Sequence, residues 1–90
     1  MKQFLVEVFT PRVAADELAS AERRAAVAAA QLSGADVGVR YVRATYIPED
    51  EICFFVFDAP SEADAARAAQ RAGLDPLRVV EAISSTKEET

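Results

Sequence analysis

The fold is decided by residues 52–61, which read Ile-Cys-Phe-Phe-Val-Phe-Asp-Ala-Pro-Ser. The first six side chains are β-branched, aromatic or small and apolar, a composition that favours a strand buried on both faces. Pro60 cannot donate a hydrogen bond to a sheet ladder, so the strand should end before it. Ser61 is a preferred N-cap residue, and Asp64 stands three positions later. The segment therefore predicts a central strand that leads directly into a helix.

Apolar spacing and turn residues divide the rest of the chain into similar units of strand and helix. The predicted elements are β1 over Gln3–Phe9, α1 over Ala14–Leu32, β2 over Val39–Ile47, β3 over Ile52–Phe57, α2 over Glu62–Ala72 and β4 over Leu77–Ser84. Ser33-Gly34 and Gly73 supply the helix stops, and residues 86–90 form a polar tail.

The order βαββαβ predicts one α+β domain over residues 1–90. It is the order of a ferredoxin-like sandwich, in which the antiparallel strands have the spatial order 4-1-3-2 and both helices cover one face. Helical spacing selects five residues to pack on that face: Leu18, Ala25, Leu32, Ala66 and Ala69.

Composition limits the class of protein and its location. The chain has 90 residues, 51% of them hydrophobic, so it can form one small core but not two. No apolar run approaches the roughly 18 residues of a spanning helix, and Met1-Lys2-Gln3 leads into strand-like sequence without a signal-peptide core. The single cysteine, Cys53, agrees with a reducing compartment. We therefore expect a cytoplasmic protein without a membrane partner.

Charge and missing residue types exclude several functions. A formal net charge of -5 disfavours nucleic-acid binding. The third strand superficially resembles that of an RNA-recognition module, but Glu51 and Ile52 stand where that module needs a basic residue and glycine. The chain has no histidine, which excludes Ser-His-Asp and Cys-His catalysis and His-ligated zinc. Its three glycines cannot form a phosphate-binding loop.

The sheet should be apolar on both faces, although helices can cover only one. β1 and β3 are the central strands of this topology, and they are also the most apolar. The second face would expose a row of large side chains unless something covered it. We expect a homodimer packed sheet to sheet, since isologous dimers are the commonest oligomers. A pocket for a small apolar ligand is compatible with that dimer.

Four polar residues interrupt the strands and are the candidate site residues: Glu7, Tyr41, Arg43 and Glu81. Strict alternation predicts that Tyr41 and Arg43 share one face of β2 and that Tyr46 points to the other. The charged members either form ion pairs at the dimer edge or surround a pocket, where Tyr41 and Arg43 hold a polar group and a desolvated Glu acts as acid or base. Cys53 is interpreted as a small core side chain.

Longer motifs give the chain a family resemblance. The opening Phe-Leu-Val-Glu (residues 4–7), the Phe-Asp-Ala-Pro-Ser link (57–61) and the Ala-Gly-Leu-Asp-Pro-Leu-Arg-Val-Val-Glu segment (72–81) resemble a small bacterial family of domains of unknown function. One member of that family is described as a nickel-binding protein. The resemblance implies a ferredoxin-like fold and a dimer. The chain departs from the family pattern at Phe55, where a cysteine is often found.

The resemblance does not lead us to expect a metal. Nickel prefers imidazole ligands, which a histidine-free chain cannot supply. The acidic turn Glu49-Asp50-Glu51 is the only plausible carboxylate cluster, and consecutive residues of a turn point in different directions. We expect this turn to be a solvated segment that discourages edge-to-edge aggregation. The prediction is therefore no metal site and no cofactor.

Two classes of function follow. The first is a small dimeric binding or accessory protein with an unknown ligand. The alternative is a dimeric α+β-barrel enzyme of the isomerase, cyclase or cofactor-free monooxygenase type. In that enzyme Glu7 or Glu81 would be the base, and Tyr41 or Arg43 would stabilise an enolate in an apolar cleft.

Overall fold

The computed structural model describes residues 1–33 and 38–83. Its elements are β1 (Lys2–Phe9), a 3-10 helix (Arg12–Glu17), α1 (Leu18–Ser33), β2 (Arg40–Ile47), β3 (Ile52–Ala59), α2 (Glu62–Arg71) and β4 (Pro76–Ala82). The strands form one sheet in the order β2-β3-β1-β4, with every neighbouring pair antiparallel. This is the predicted order 4-1-3-2 counted from the other edge, so the ferredoxin-like α+β fold is confirmed.

The largest difference in element boundaries lies before α1. The helix begins at Leu18 rather than near Ala14, and a 3-10 helix precedes it. Arg12 ties that segment to the β2–β3 turn, because its backbone N–H donates to Glu51 Oε2 at 3.0 Å and its Nε donates to the Pro48 carbonyl at 3.1 Å. The predicted helix stop at Gly34, the predicted strand end at Ser84 and the polar tail at 86–90 lie outside the described residues.

The ends of α2 follow the sequence prediction. The Ser61 hydroxyl accepts a hydrogen bond from the Asp64 N–H at 3.2 Å, which satisfies one free donor of the first turn. After the helix, Gly73 adopts φ +78°, a left-handed conformation that favours glycine. The Ser61 cap thus fixes where α2 begins after β3, and Gly73 fixes where the chain turns from α2 towards β4.

The core lies between the helices and one face of the sheet. The sheet contributes its large side chains and the helices contribute almost only alanine. Buried residues of the sheet face are Phe4, Val6, Cys53, Phe55 and Phe57, and those of the helices are Ala21, Ala25, Ala28, Ala29, Leu32, Ala65, Ala68 and Ala69. Small helix side chains let the helix backbones approach the sheet closely.

One predicted core residue is misplaced. Ala66 is only half-buried, whereas Ala65, Ala68, Ala69 and Ala72 are buried. The buried positions follow the three-four spacing of a single helix face, and Ala66 lies about 100° around the helix from Ala65. The prediction was therefore wrong for Ala66 and is confirmed for Ala69.

We expect Ala25→Leu and Ala69→Leu to lower the free energy of unfolding by about 1–3 kcal/mol each, since both sites are fully buried and a larger side chain must push the helix off the sheet. Thermal melts measured by circular dichroism would show the loss. Ala30→Leu and Ala63→Leu are matched controls at exposed positions of the same two helices and should change stability little. Equal melting temperatures in all four variants would contradict the assignment of the buried faces.

Candidate functional site

The face of the sheet away from the helices, called the open face below, carries the candidate site. Cross-strand partners share a face, so the sheet register identifies its members. Its apolar members are Leu5, Phe9, Ile47, Ile52, Phe54, Val56 and Val80, called the apolar patch below. Phe9 remains 55% exposed, whereas Val56 is buried by its neighbours although it does not belong to the core. Both faces of β1 and β3 are therefore apolar, as the sequence predicts.

The open face carries two ion pairs: that of Glu7 lies within the apolar patch, between Leu5 and Phe9 along β1, and that of Asp58 lies at its border. Arg78 Nε donates to Glu7 Oε1 at 2.6 Å across the β1–β4 pairing. Arg40 Nη2 donates to Asp58 Oδ2 at 2.5 Å across the β2–β3 pairing. Burial alone would raise the pKa of Asp58, but the hydrogen bonds from Arg40 and Gln3 outweigh it and hold that pKa below its usual range. Both carboxylates are thus paired with an arginine of the same protomer.

The structure does not bring the four predicted site residues together. Glu7 and Arg43 lie on the open face, whereas Tyr41 packs against the core on the helix side. The cause is a register shift at Val42, which adds one residue to β2 opposite β3 and reverses the side-chain alternation. Tyr41 consequently shares its face with Tyr46 rather than with Arg43, and the prediction for this strand was wrong. Tyr46 does close the hairpin core, where its hydroxyl donates to the Thr10 carbonyl at 3.0 Å.

Glu81 lies at the edge of the sheet on the helix side. Its partner in the register is Phe4, a core residue, and its carboxylate stands 4.0 Å from Lys2 Nζ. Glu7 and Glu81 therefore lie on opposite faces. Because Glu7 and Tyr41 also lie on opposite faces, no single cleft can present this Glu and this Tyr to one substrate atom.

A cavity of about 570 Å³ does unite two of the four predicted residues, Arg43 and Glu81. It lies at the end of the sheet where β1 begins and β4 ends, and is called the end cavity below. Its other lining residues are Met1, Lys2, Gln3, Asp58, Ala82 and Ile83. Sequence reasoning missed Lys2, Gln3 and Asp58, because only the register of all four strands shows that they meet Arg43 and Glu81. The cavity holds charges of both signs, and Glu81 is 42% exposed beside Lys2. This arrangement suits the binding of a polar group better than the desolvated base of an enolisation site.

Comparison with known proteins agrees with the fold and the motifs. Residues 4–82 match the model of a family described as SCO4226-like, nickel responsive protein. The chain belongs to this family. The family suspected from the Asp-Ala-Pro-Ser and Ala-Gly-Leu-Asp motifs is thereby confirmed.

A solved relative of the SCO4226-like chain has the same fold. The crystal structure of SCO4226 from Streptomyces coelicolor A3(2) superposes with a TM-score of 0.72 at 19% identity, over 93% of this chain and 99% of that one. No curated protein matches the chain. The identity is low enough that the superposition establishes the fold alone.

Possible metal ligands among the described residues of this SCO4226-like chain do not converge. Within residues 1–33 and 38–83, no group of three or more His, Cys, Asp or Glu side chains lies close enough to hold an ion. In the acidic turn, Glu51 has φ 54° and its carboxylate accepts the Arg12 N–H at 3.0 Å. The thiol of Cys53 is fully buried. The donor set of the described residues therefore does not fit nickel. In the same part of the chain, no helix has the length and apolarity needed to cross a membrane.

A polar cluster missed by sequence reasoning lies beneath α1. The Tyr41 hydroxyl donates to Glu22 Oε1 at 2.5 Å. The Tyr41 ring packs edge to face against the Phe57 ring, with the ring centroids 5.5 Å apart. The pKa of Tyr41 is raised far above its usual value. Burial is the largest cause, and the hydrogen bond to Glu22 is the second. Burial, followed by the Glu22 charge, raises the pKa of Cys53 to about 11. The Glu22 side chain therefore joins α1 to β2.

We expect Cys53 to react very slowly with an aromatic disulfide reagent at about pH 8, where a thiol of pKa about 11 is roughly one-thousandth thiolate. Absorbance of the released thiolate measures the rate. Unfolding in guanidinium should release one full equivalent, because Cys53 is the only cysteine. Ala63→Cys in a Cys53→Ala background is the exposed control and should react at once in the folded protein. Rapid labelling of native Cys53 would contradict its burial.

Proposed function

We propose that the chain is a small cytoplasmic binding or accessory protein that acts as a homodimer joined through the open face. The observation that carries the proposal is the apolar patch on β1 and β3, which no described element of the chain covers. A contiguous apolar surface bordered by charged residues is typical of a protein interface. The free, buried thiol of Cys53 supports the reducing location.

A second copy of the chain suits this surface. Two sheets can pack face to face about 10 Å apart with their inner side chains interdigitated, which requires flat apolar faces on both partners. The apolar patch offers Leu5, Phe54 and Val56 at its middle. The two carboxylates of this face, Glu7 among these residues and Asp58 at the border, are each paired with an arginine of the same protomer. Since Glu7 is already neutralised by Arg78, a copy of the same face can approach without burying an unpaired carboxylate.

The end cavity is the place where such a dimer would hold a ligand. It opens beside the apolar patch, and its lining includes Lys2, Arg43, Asp58 and Glu81. A site with charges of both signs selects a small polar molecule rather than the small apolar ligand expected from the sequence. Arg43 has no ion-pair partner within the described residues and is the best candidate to hold an anionic group of that ligand.

The family description raises the question of nickel. The complete chain has no histidine, and its single thiol is inside the core. Carboxylates alone form sites for hard cations, not for nickel. We propose that this member acts without a nickel site of its own.

We expect sedimentation velocity to show a dimer, and Phe9→Glu to convert it to a monomer that keeps its circular dichroism spectrum. Phe9 is 55% exposed in the protomer, so glutamate there need not unfold the chain, whereas a charge in the dimer interface would be desolvated. Leu5→Glu, nearer the centre of the apolar patch, should have the same effect and a larger cost in stability.

Val13→Glu is the control for this experiment. Val13 is 93% exposed in the 3-10 helix and lies off the open face, so its variant should stay dimeric. A wild-type protein that stays monomeric at the highest attainable concentration would refute the dimer. Dissociation by Val13→Glu as strongly as by Phe9→Glu would show that the interface lies elsewhere.

Titration with nickel chloride in a calorimeter should give weak heats without saturation. The double variant Glu49→Ser, Asp50→Ser should leave these heats and the melting temperature in nickel unchanged, because the acidic turn does not converge on an ion. Glu51 is kept in this variant, since its carboxylate binds the Arg12 N–H. Micromolar or tighter binding that is lost in Cys53→Ala would contradict the proposal.

A further inference from the structure

The outer surface between the two helices contains a groove of about 330 Å³. It is lined by Ser20, Arg23, Arg24, Val27, Ala28, Gln31 and Arg71, and is called the arginine groove below. Three of these seven residues are arginine and none is acidic. The chain as a whole carries a net charge of -5, so the groove locally reverses the sign of the protein's charge.

The arginines of the groove have no carboxylate partner among residues 1–33 and 38–83. Within the described residues, the ion pairs join Lys2 to Glu81, Arg40 to Asp58 and Arg78 to Glu7. The three groove arginines take part in none of them. Arginine side chains that face one another without an intervening carboxylate repel, and an anion among them removes that repulsion.

Neutral contacts hold two of these side chains in place. Arg24 Nε donates to the Ala72 carbonyl at 2.9 Å, and its Nη1 lies 3.2 Å from the Ser20 hydroxyl. Arg71 Nη1 donates to Gln31 Oε1 at 3.2 Å. Each of these guanidinium groups keeps further N–H donors free, and Arg23 makes no side-chain hydrogen bond within the described residues. The groove therefore contains several guanidinium N–H donors that are free to bind a ligand, and two of the side chains that carry them are already held in position.

We propose that the arginine groove binds the phosphate group of a small phosphorylated metabolite. The planar guanidinium fork matches phosphate oxygens, and several forks in one groove offer more donors than the two oxygens of a carboxylate can accept. Val27, which is 55% exposed, and Ala28 give the organic part of the ligand an apolar surface. The volume is at the lower end of the roughly 300–1,000 Å³ of small-molecule sites.

The site is independent of the proposed dimer. The arginine groove lies on the outer side of the helix layer, and the open face lies on the opposite side of the sheet. A dimer joined through the open faces would leave both grooves accessible, and failure of the dimer would leave this proposal unaffected.

Phenyl phosphate is the probe, because it joins a phosphate monoester to a small apolar group. Calorimetry at low ionic strength should show saturable binding to the full chain that weakens as salt is added. Arg23→Gln and Arg71→Gln should each weaken binding about tenfold, the effect of losing one charge-assisted hydrogen bond. Arg24 is left unchanged, since its bond to the Ala72 carbonyl also joins the helices.

Arg67→Gln is the matched control. Arg67 is exposed on α2, one helical turn before Arg71, and does not line the groove, yet its replacement changes the net charge by the same amount. A defined site would be supported if Arg67→Gln binds phenyl phosphate as tightly as the wild type while Arg23→Gln and Arg71→Gln bind it more weakly. Equal weakening in all three variants would overturn the proposal in favour of diffuse attraction. Lack of saturation by phenyl phosphate would also overturn it, as would benzoate binding with the same affinity.

Discussion

The two helices contact the sheet through alanine, and this close contact governs the rest of the structure. Because the helices contribute so little volume, the large side chains of the core come from the sheet, with Phe4, Phe55 and Phe57 filling the space. Both helices are needed on that one side, since four strands are wider than a single helix. The chain therefore has no described element left for the other face of β1 and β3. An apolar patch, and the dimer proposed to cover it, are consequences of how this small core is built.

The fold could be predicted from the sequence because its signals are local. A β-rich run, the Ser61 cap and the glycine at 73 each specify a boundary within a few residues, and the order of six elements then leaves few topologies. Helix faces were harder to assign in α2, where alanines at adjacent positions make several faces look alike. Ala66 was misassigned for that reason, and its burial depends on packing rather than on its own chemistry.

The candidate site was predicted only in part, and the failure has a specific physical origin. The prediction assumed strict alternation along β2, but the extra residue at Val42 moves Tyr41 to the core and leaves Arg43 on the open face. Valine gives no warning of a bulge, as a glycine would. The end cavity depends on the pairing of all four strands, and its lining residues are far apart in the sequence. Lys2 and Asp58 therefore gave no sign of their proximity to Arg43 and Glu81.

The charges of the molecule are divided between its two sides. On the open face, arginines pair with Glu7 and Asp58 beside an apolar surface, and the bond from Arg40 helps to hold the pKa of Asp58 below its usual range. On the helix side, Arg24 and Arg71 of the groove donate only to neutral groups within the part of the chain that the structure describes. A net negative chain thus presents one face on which Glu7 and Asp58 are paired and another that is locally positive, which separates the surface proposed for self-association from the arginine groove.

The position of β1 at the middle of the sheet affects how the chain can fold during its synthesis. β1 is made first, but both of its neighbours, β3 and β4, come later, and β4 ends at Ala82. Until β4 leaves the ribosome, one edge of the apolar strand Lys2–Phe9 has free backbone groups that can pair with another nascent chain. The early α1, which is rich in alanine and forms through local contacts, can cover one face of this strand but neither of its edges. Premature termination before β4 should consequently produce a fragment prone to aggregation rather than a smaller folded protein.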